Sequence, residues 1–286
     1  MTSIAVEYGP DVSASRRLGT EQELEGWLRF ALDLCDVADA TAMAAFRRDM
    51  VVSTKPDRTY VTEADRAIER AMRERIADAF PDHGVVGEEY GTEAPDASVR
   101  WYVDPIDATH NFMRGVPLFG TLIGIERDGE LQVGTVSAPA LGTRWFARRG
   151  GGAWAVHALR TTGEPRRIGV SRVAAIGDMQ LLYGSARDVI ASGRASGFAS
   201  LIGEAWRDRG FGDFWGYTLV AEGAAEAMVE GDLSPWDMAG PFVVVEEAGG
   251  CMTDLDGTRT IHGRSALATN GVLHEVVLAR LGAEGG

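Results

Sequence analysis

Trp101-Tyr102-Val103-Asp104-Pro105-Ile106-Asp107-Ala108-Thr109-His110-Asn111-Phe112 is the stretch on which the reading of this chain turns. An apolar run ends in two carboxylates three residues apart. Trp101 to Val103 read as a buried strand, so Asp104 emerges at its end. Pro105 holds φ at about −65° and removes a backbone donor, turning the chain so that Asp107 points to the same spot. Two anions brought together repel unless a cation sits between them. Hard oxygen ligands of this kind suit Mg²⁺. For this segment alone, a surface turn with two solvated acids is the competing reading.

Other acids sit at similar positions. Glu88 follows Val85-Val86-Gly87, where a short strand ends; Glu88 and Glu89 point to opposite sides of it, so at most one of them is a ligand, and position weakly favours Glu88. Ser234-Pro235-Trp236-Asp237 precedes the apolar run Met238 to Ala248. Ser234 reads as an N-cap with Pro235 as the first helical residue, yet Asp237 shares a face with Val244 and Ala248. Thr62-x-x-Asp65 is a helix-start box, but Asp65 lies on the stripe of Ile68, Met72 and Ile76. A carboxylate on a buried stripe needs a partner. Element ends are where loops converge and sites are built.

The chain has 286 residues, enough for one large or two moderate domains with a proper core. A net charge of −14 argues against nucleic acid or an anionic membrane as partner. An acidic protein handling an anionic substrate needs a metal to offset repulsion. The two cysteines, Cys35 and Cys251, share no metal-ligand spacing, and Cys35 reads as a buried core thiol. There is no apolar run of about 18 residues and no signal-peptide pattern. The expectation is a cytoplasmic protein whose residues 1–18 are poorly ordered.

Thr20 and Glu23 form a capping box ahead of a long first helix to about Phe46, with Leu24, Trp27, Leu28, Ala31, Leu32 and Cys35 at helical spacing. Residues 49–61 read as a hairpin around Lys55-Pro-Asp-Arg, and Thr62 caps a second helix. Leu118–Ile125 and Leu131–Ala138, joined through Asp128-Gly129, read as another hairpin. Beyond about residue 156 short strands (Gln180–Tyr183, Gly250–Thr253, Ala266–Thr269) alternate with helices (Ala195–Trp206, Tyr217–Met228, Met238–Ala248). The expected fold is α+β: residues 19–155 form an antiparallel α+β N-terminal half, 156–286 an α/β-type C-terminal half, and the acids gather where they meet.

Gly87-Glu88-Glu89, the run Trp101 to Phe112, and Trp236-Asp237 with the trailing Glu247-Ala248-Gly249-Gly250 resemble the inositol monophosphatase family of metal-dependent phosphatases. The segment from Lys55 through Val61-Thr62-Glu63-Ala64-Asp65 resembles that family's early motif, so matching motifs span residues 55–250 in order. The resemblance implies a layered αβαβα sugar-phosphatase fold, two to three Mg²⁺ per site, frequent inhibition by Li⁺ and a homodimer. It assigns Glu88, Asp104 and the Ile106 carbonyl to a first metal. Asp104, Asp107 and Asp237 would hold a second, and the Ala108 and Thr109 amides would cradle the phosphate. Catalysis would fall to Asp65, Thr109 and Glu88, with the Thr109 hydroxyl paired with Asp65 to orient water. The family usually has Gly where this chain has Ala108, so a methyl stands where φ > 0 or close phosphate approach is expected. Pro241, inside the helix after Asp237, is also unusual and is expected to bend it.

Substrate choice is expected in Arg209-Gly-Phe-Gly-Asp213-Phe-Trp-Gly-Tyr217 and at Glu230. Asp213 falls where inositol-specific members carry a small residue, and an acid there favours a cationic substrate; its competing role is a helix N-cap. Arg209 is a candidate for substrate or phosphate. With Asn111–Leu118 and Val136–Gly142, this stretch resembles the histidinol-phosphate phosphatases of the family, whose small phosphorylated substrate carries an ammonium and a titratable imidazole. Asp107, Ala108, Thr109 and Asp237 complete the expected substrate contacts. A cyclitol or sugar phosphatase, inositol 1-phosphate included, and a non-catalytic binding paralogue are the alternatives.

Overall fold

Helix starts follow local chemistry. Thr20 caps α1 (Glu21–Ala45): its hydroxyl accepts from the Glu23 amide and the Glu23 carboxylate accepts from the Thr20 amide, both at 3.3 Å. Thr62 does the same for α2 (Glu63–Ala79) through Asp65. The computed structural model describes residues 19–47, 52–54, 60–157 and 163–282. Residues 1–18, expected to be poorly ordered, and Lys55 with the rest of the expected turn at 55–59 lie outside the described residues. The strands flanking that turn, β1 (Val52–Thr54) and β2 (Tyr60–Thr62), pair antiparallel.

An eight-stranded sheet follows, built from β3 (Gly84–Gly87), β4 (Gly91–Glu93), β5 (Val99–Asp107), β6 (Gly120–Arg127), β7 (Glu130–Ala138), β8 (Thr143–Arg148), β9 (Gly152–His157) and β10 (Arg166–Arg167), with the short helix α3 (Thr109–Met113) between β5 and β6. Its order is β10-β9-β8-β7-β6-β5-β3-β4, antiparallel except for the β3–β5 pair. The expected hairpin is β6–β7. The second half holds β11 (Gln180–Tyr183), α4 (Ala186–Val189), α5 (Ala195–Glu204), β12 (Arg207–Arg209), α6 (Asp213–Ala221), β13 (Ala227–Gly231), α7 (Pro235–Glu247), β14 (Cys251–Thr253), β15 (Ser265–Thr269) and α8 (His274–Leu281). Its five strands run β12-β11-β13-β15-β14.

Strand alternation sorts the core into layers, because successive side chains leave a strand on opposite faces. Trp101, Val103, Ile123 and Val133 pack with α1 and α2. Tyr102, Leu122 and Val136 face the other way, toward α6 and α7. The same helical layer receives Leu182, Met228 and Ala268 from the small sheet, while Leu181, Ala227, Val229 and Leu267 turn toward α5 and α8. The result is helix, sheet, helix, sheet, helix: the layered αβαβα arrangement of an α+β protein. Cys35 is fully buried against Thr135, as expected, and burial pushes its thiol up to about 12.

One expected helix is corrected. Tyr217–Met228 divides into the end of α6 and the buried strand β13. Gly223, at φ 71°, closes the helix after Glu222 caps onto Thr218. Met228 and its neighbours then pair with β11 and β15. Apolar periodicity could not separate a buried helix from a buried strand here. Pro241 sits inside α7, which runs on as Pro235–Glu247.

Close approach of α7 to the large sheet depends on missing side chains. A Cβ on Gly134 would lie 2.2 Å from the Gly240 carbonyl, and one on Gly124 would lie 2.4 Å from the Ala239 Cβ. Overpacking of this kind costs about 1–3 kcal/mol. Gly134→Ala should lower the melting temperature by roughly 5 °C at the ~2–4 °C per kcal/mol typical of domains this large. An unchanged melt would mean that α7 can shift freely on β7.

Candidate active site

β5 delivers two acids to one place through a bulge. Its pairing with β6 sets Asp104 opposite Leu122, then Asp107 opposite Gly120, so one extra residue is inserted between them. Pro105 cannot donate to the ladder; its carbonyl instead accepts the Thr121 hydroxyl at 2.8 Å. The Ile106 amide donates to Asp104 at 3.0 Å. The first turn of α7 supplies a third acid. Ser234 is the N-cap, Pro235 the first helical residue, and Asp237 accepts the Ser234 amide at 2.7 Å. One carboxylate oxygen from each of Asp104, Asp107 and Asp237 lies within 4.8 Å of the others. Three acids at this spacing can hold a metal ion.

Electrostatics point the same way. Burial pushes Asp104 and Asp107 well above the usual carboxylate range; Glu88 adds to the push on Asp104, and Asp213 to that on Asp107. Burial raises Asp237 to about 7, against the bond from Ser234 that favours its anion. Asp107 also accepts the Phe214 amide at 2.9 Å, which ties the large sheet to the start of α6. A buried anion cluster needs a cation or a proton.

The three acids line a cavity of about 260 Å³ together with Glu88, Ile106, Ala108, Thr109, Asp213 and Glu230. Glu88 lies in the turn between β3 and β4, outside the tight triad, and acts electrostatically on Asp104, Asp237 and Asp65. Ala108 is the N-cap of α3 at φ 62°, so the position does call for the left-handed region. A methyl there costs about 1–2 kcal/mol. Asp213 is not a cap. Gly212 occupies that place, and Asp213 is the first residue of α6 at φ 54°. Glu230 is buried, raised to about 8 chiefly by burial, and accepts the Tyr217 hydroxyl at 2.6 Å and the Asp213 amide at 3.3 Å.

Two expectations are corrected. The Thr109 hydroxyl donates to the Ile106 carbonyl at 3.0 Å, and Asp65 accepts the Thr62 amide at 2.8 Å, so the expected Thr109–Asp65 bond is not formed. Each group found a partner three residues away in its own turn. Asp65 is nonetheless fully buried, its second oxygen has no partner among the described residues, and burial raises it to about 6. Arg209 is exposed on the edge strand β12, donates to the Asp208 carbonyl at 2.5 Å and does not line the cavity.

Sequence reasoning missed Glu69. It is fully buried and accepts the Glu89 and Tyr90 amides at 2.7 and 3.1 Å, holding the turn that carries Glu88. Gly87 leaves room for it, since a Cβ there would lie 2.1 Å from its carboxylate. The signal was available: Glu69 shares the buried stripe of Asp65, Met72 and Ile76. Asp188 on α4, which also lines the cavity, carried no such signal.

Residues 23–284 match the inositol monophosphatase family. The chain is 46% identical over 258 residues to a histidinol-phosphatase of Mycobacterium tuberculosis, covering 90% of this chain and 98% of that one. It is 44% identical over 259 residues to a histidinol-phosphatase of Streptomyces coelicolor, covering 89% and 96%. Among solved structures it resembles the IMPase of Thermotoga maritima, with a TM-score of 0.78 at 28% identity, over 90% of this chain and 96% of the other. Sequence, layer order and acid cluster agree, and the chain belongs to the inositol monophosphatase family.

Proposed function

We propose that this chain hydrolyses a phosphomonoester with Mg²⁺, and that the substrate is L-histidinol phosphate, released as L-histidinol and phosphate in histidine biosynthesis. One observation carries the reading: a single cavity joins the Asp104–Asp107–Asp237 cluster to Asp213, an acid suited to a cationic alcohol. Similarity to histidinol-phosphatases over nine-tenths of the chain supports the same substrate.

The donor set fits Mg²⁺: carboxylates and one carbonyl, hard oxygens throughout. Glu88, Asp104 and the Ile106 carbonyl would hold one ion, and Asp104, Asp107 and Asp237 another, with two to three ions in all. When bound, such ions supply Lewis acidity toward phosphoryl oxygens and lower the pKa of water. The Ala108 and Thr109 amides, at the start of α3, orient the phosphate. Asp65, buried with one open oxygen behind the cavity wall, would take a proton, and Thr109 and Glu88, which line the cavity, would act beside the reacting centre. Residues 19–155 would supply the phosphate site and most metal ligands, and 156–286 the alcohol site together with Asp237. A homodimer and a cytoplasmic location are part of the proposal and rest on the family resemblance; no helix among the described residues is long and apolar enough to cross a membrane.

Phosphate release should be measured across histidinol phosphate, inositol 1-phosphate, fructose 1,6-bisphosphate and adenosine 3′,5′-bisphosphate, with and without Mg²⁺. Preference for histidinol phosphate is expected; preference for inositol 1-phosphate would replace it with a cyclitol phosphatase. Asp107→Asn and Asp237→Asn should each lower Mg²⁺-dependent turnover by about a hundred- to a thousandfold, the order expected when a charge-stabilising group is lost. Wild-type rates in both variants would remove the metal reading.

Proton linkage gives a further check. In metal-free protein Asp237 and Glu230 titrate at about 7 and 8, above their ordinary 3.8 and 4.5. Between the unfolded and folded values the native chain holds protons that the unfolded chain has released. Their contribution to stability is therefore full at low pH and is lost as pH rises through the folded values. Ligands must be deprotonated to bind, so Mg²⁺ should raise the melting temperature more at pH 8 than at pH 6. Equal shifts at both pH values would contradict the linkage.

A further inference from the structure

Besides Asp237 of the metal cluster, four acids from the C-terminal half line the cavity: Asp188, Asp213, Glu230 and Asp232. The protein already answers two of them. Asp232 pairs with Arg264, and both oxygens of Glu230 are engaged, one by the Tyr217 hydroxyl and one by the Asp213 amide. The remaining two are unanswered. No hydrogen bond among the described residues reaches the carboxylate of Asp188 or Asp213, and the imidazole of His110 favours the Asp213 anion through its charge.

Asp188 is half-buried on α4. Ser185, the N-cap, accepts its amide at 3.3 Å. Its backbone and Cβ rest against the end of β13 because residue 231 is glycine: a Cβ there would lie 3.0 Å from the Asp188 carbonyl oxygen and 3.5 Å from its Cβ. The fold thus seats Asp188 beside the cavity and gives its carboxylate no hydrogen-bond partner among the described residues. Leaving such a group unpaired in a partly dry site is unfavourable, and a charge-assisted hydrogen bond from a ligand would reverse that.

We propose that Asp188 is a specificity-determining residue that, alongside Asp213, receives one of the two positively charged groups of an amino-alcohol phosphate. This rests on the phosphatase reading above. Two open carboxylates match the ammonium and imidazolium of a histidinol-like alcohol, whereas a neutral polyol offers no charge to either. Glu230, internally bonded, holds the amide of Asp213 and leaves that carboxylate to the cavity.

The test is the ratio of kcat/KM for histidinol phosphate to that for glycerol 2-phosphate, measured on wild type, Asp188→Asn and Asp188→Glu. Asp188→Asn should lower this ratio about tenfold or more through a raised KM for histidinol phosphate, since bonds to charged groups are the stronger ones. Asp188→Glu should keep part of it, and added salt should narrow the gap between wild type and Asp188→Asn. An unchanged ratio in Asp188→Asn would overturn the proposal, as would equal losses on both substrates with a lowered melting temperature, which would make the residue structural. A wild-type enzyme with no preference for histidinol phosphate would refute the substrate reading itself, and the cation site with it, before any variant is compared.

Discussion

Mutual repulsion among Asp104, Asp107 and Asp237 is the constraint around which this structure is organised. Three carboxylates with oxygens inside 4.8 Å of one another would not stay together without compensation. The protein supplies part of it in one repeated form: each acid accepts one backbone amide. Ile106 donates to Asp104, Phe214 to Asp107 and Ser234 to Asp237. Backbone donors are fixed by the fold and add no net charge, so they aim the acids without neutralising them. The charge deficit left over is what a bound cation would meet.

Backbone strain concentrates at the same place. Ala108, Asp213 and Asp232 line the cavity, and all three are non-glycine residues with positive φ. Each such residue costs roughly 1–3 kcal/mol unless its surroundings over-determine it. Here they do. Ala108 is held between the end of β5 and α3. The amide of Asp213 is pinned by Glu230 and that of Phe214 by Asp107, and Asp232 is paired with Arg264. Sites that demand unusual directions for side chains and amides are where such conformations persist.

The five layers explain how distant segments reach one cavity. The helical layer shared by both sheets carries α6 and α7, whose first turns hold Asp213 and Asp237. Strand ends of the large sheet bring Asp104 and Asp107, and those of the small sheet bring Glu230 with its neighbours. Tight seating of α7 on Gly124 and Gly134 therefore fixes more than the core, because Asp237 rides on the same helix.

Helix starts and helix faces, which depend on neighbours three or four residues apart, were legible in the chain alone. The starts of α1, α2 and α7 follow from Thr20, Thr62 and Ser234, and the buried faces of α1 and α2 follow from helical spacing. The β6–β7 hairpin was equally plain, whereas the turn expected at Pro105 is a bulge inside β5, which runs on to Asp107. Tertiary structure decided the rest. Residues 217–228 became helix, turn and strand because β13 needed neighbours on both sides. Asp65 and Thr109 bonded within their own turns, and Arg209 was carried to a sheet edge. Glu69 and Asp188 took places set by Gly87 and Gly231. The bond from Phe214 to Asp107 spans 107 positions, and no local pattern encodes a contact that exists only after two sheets have packed on one helical layer.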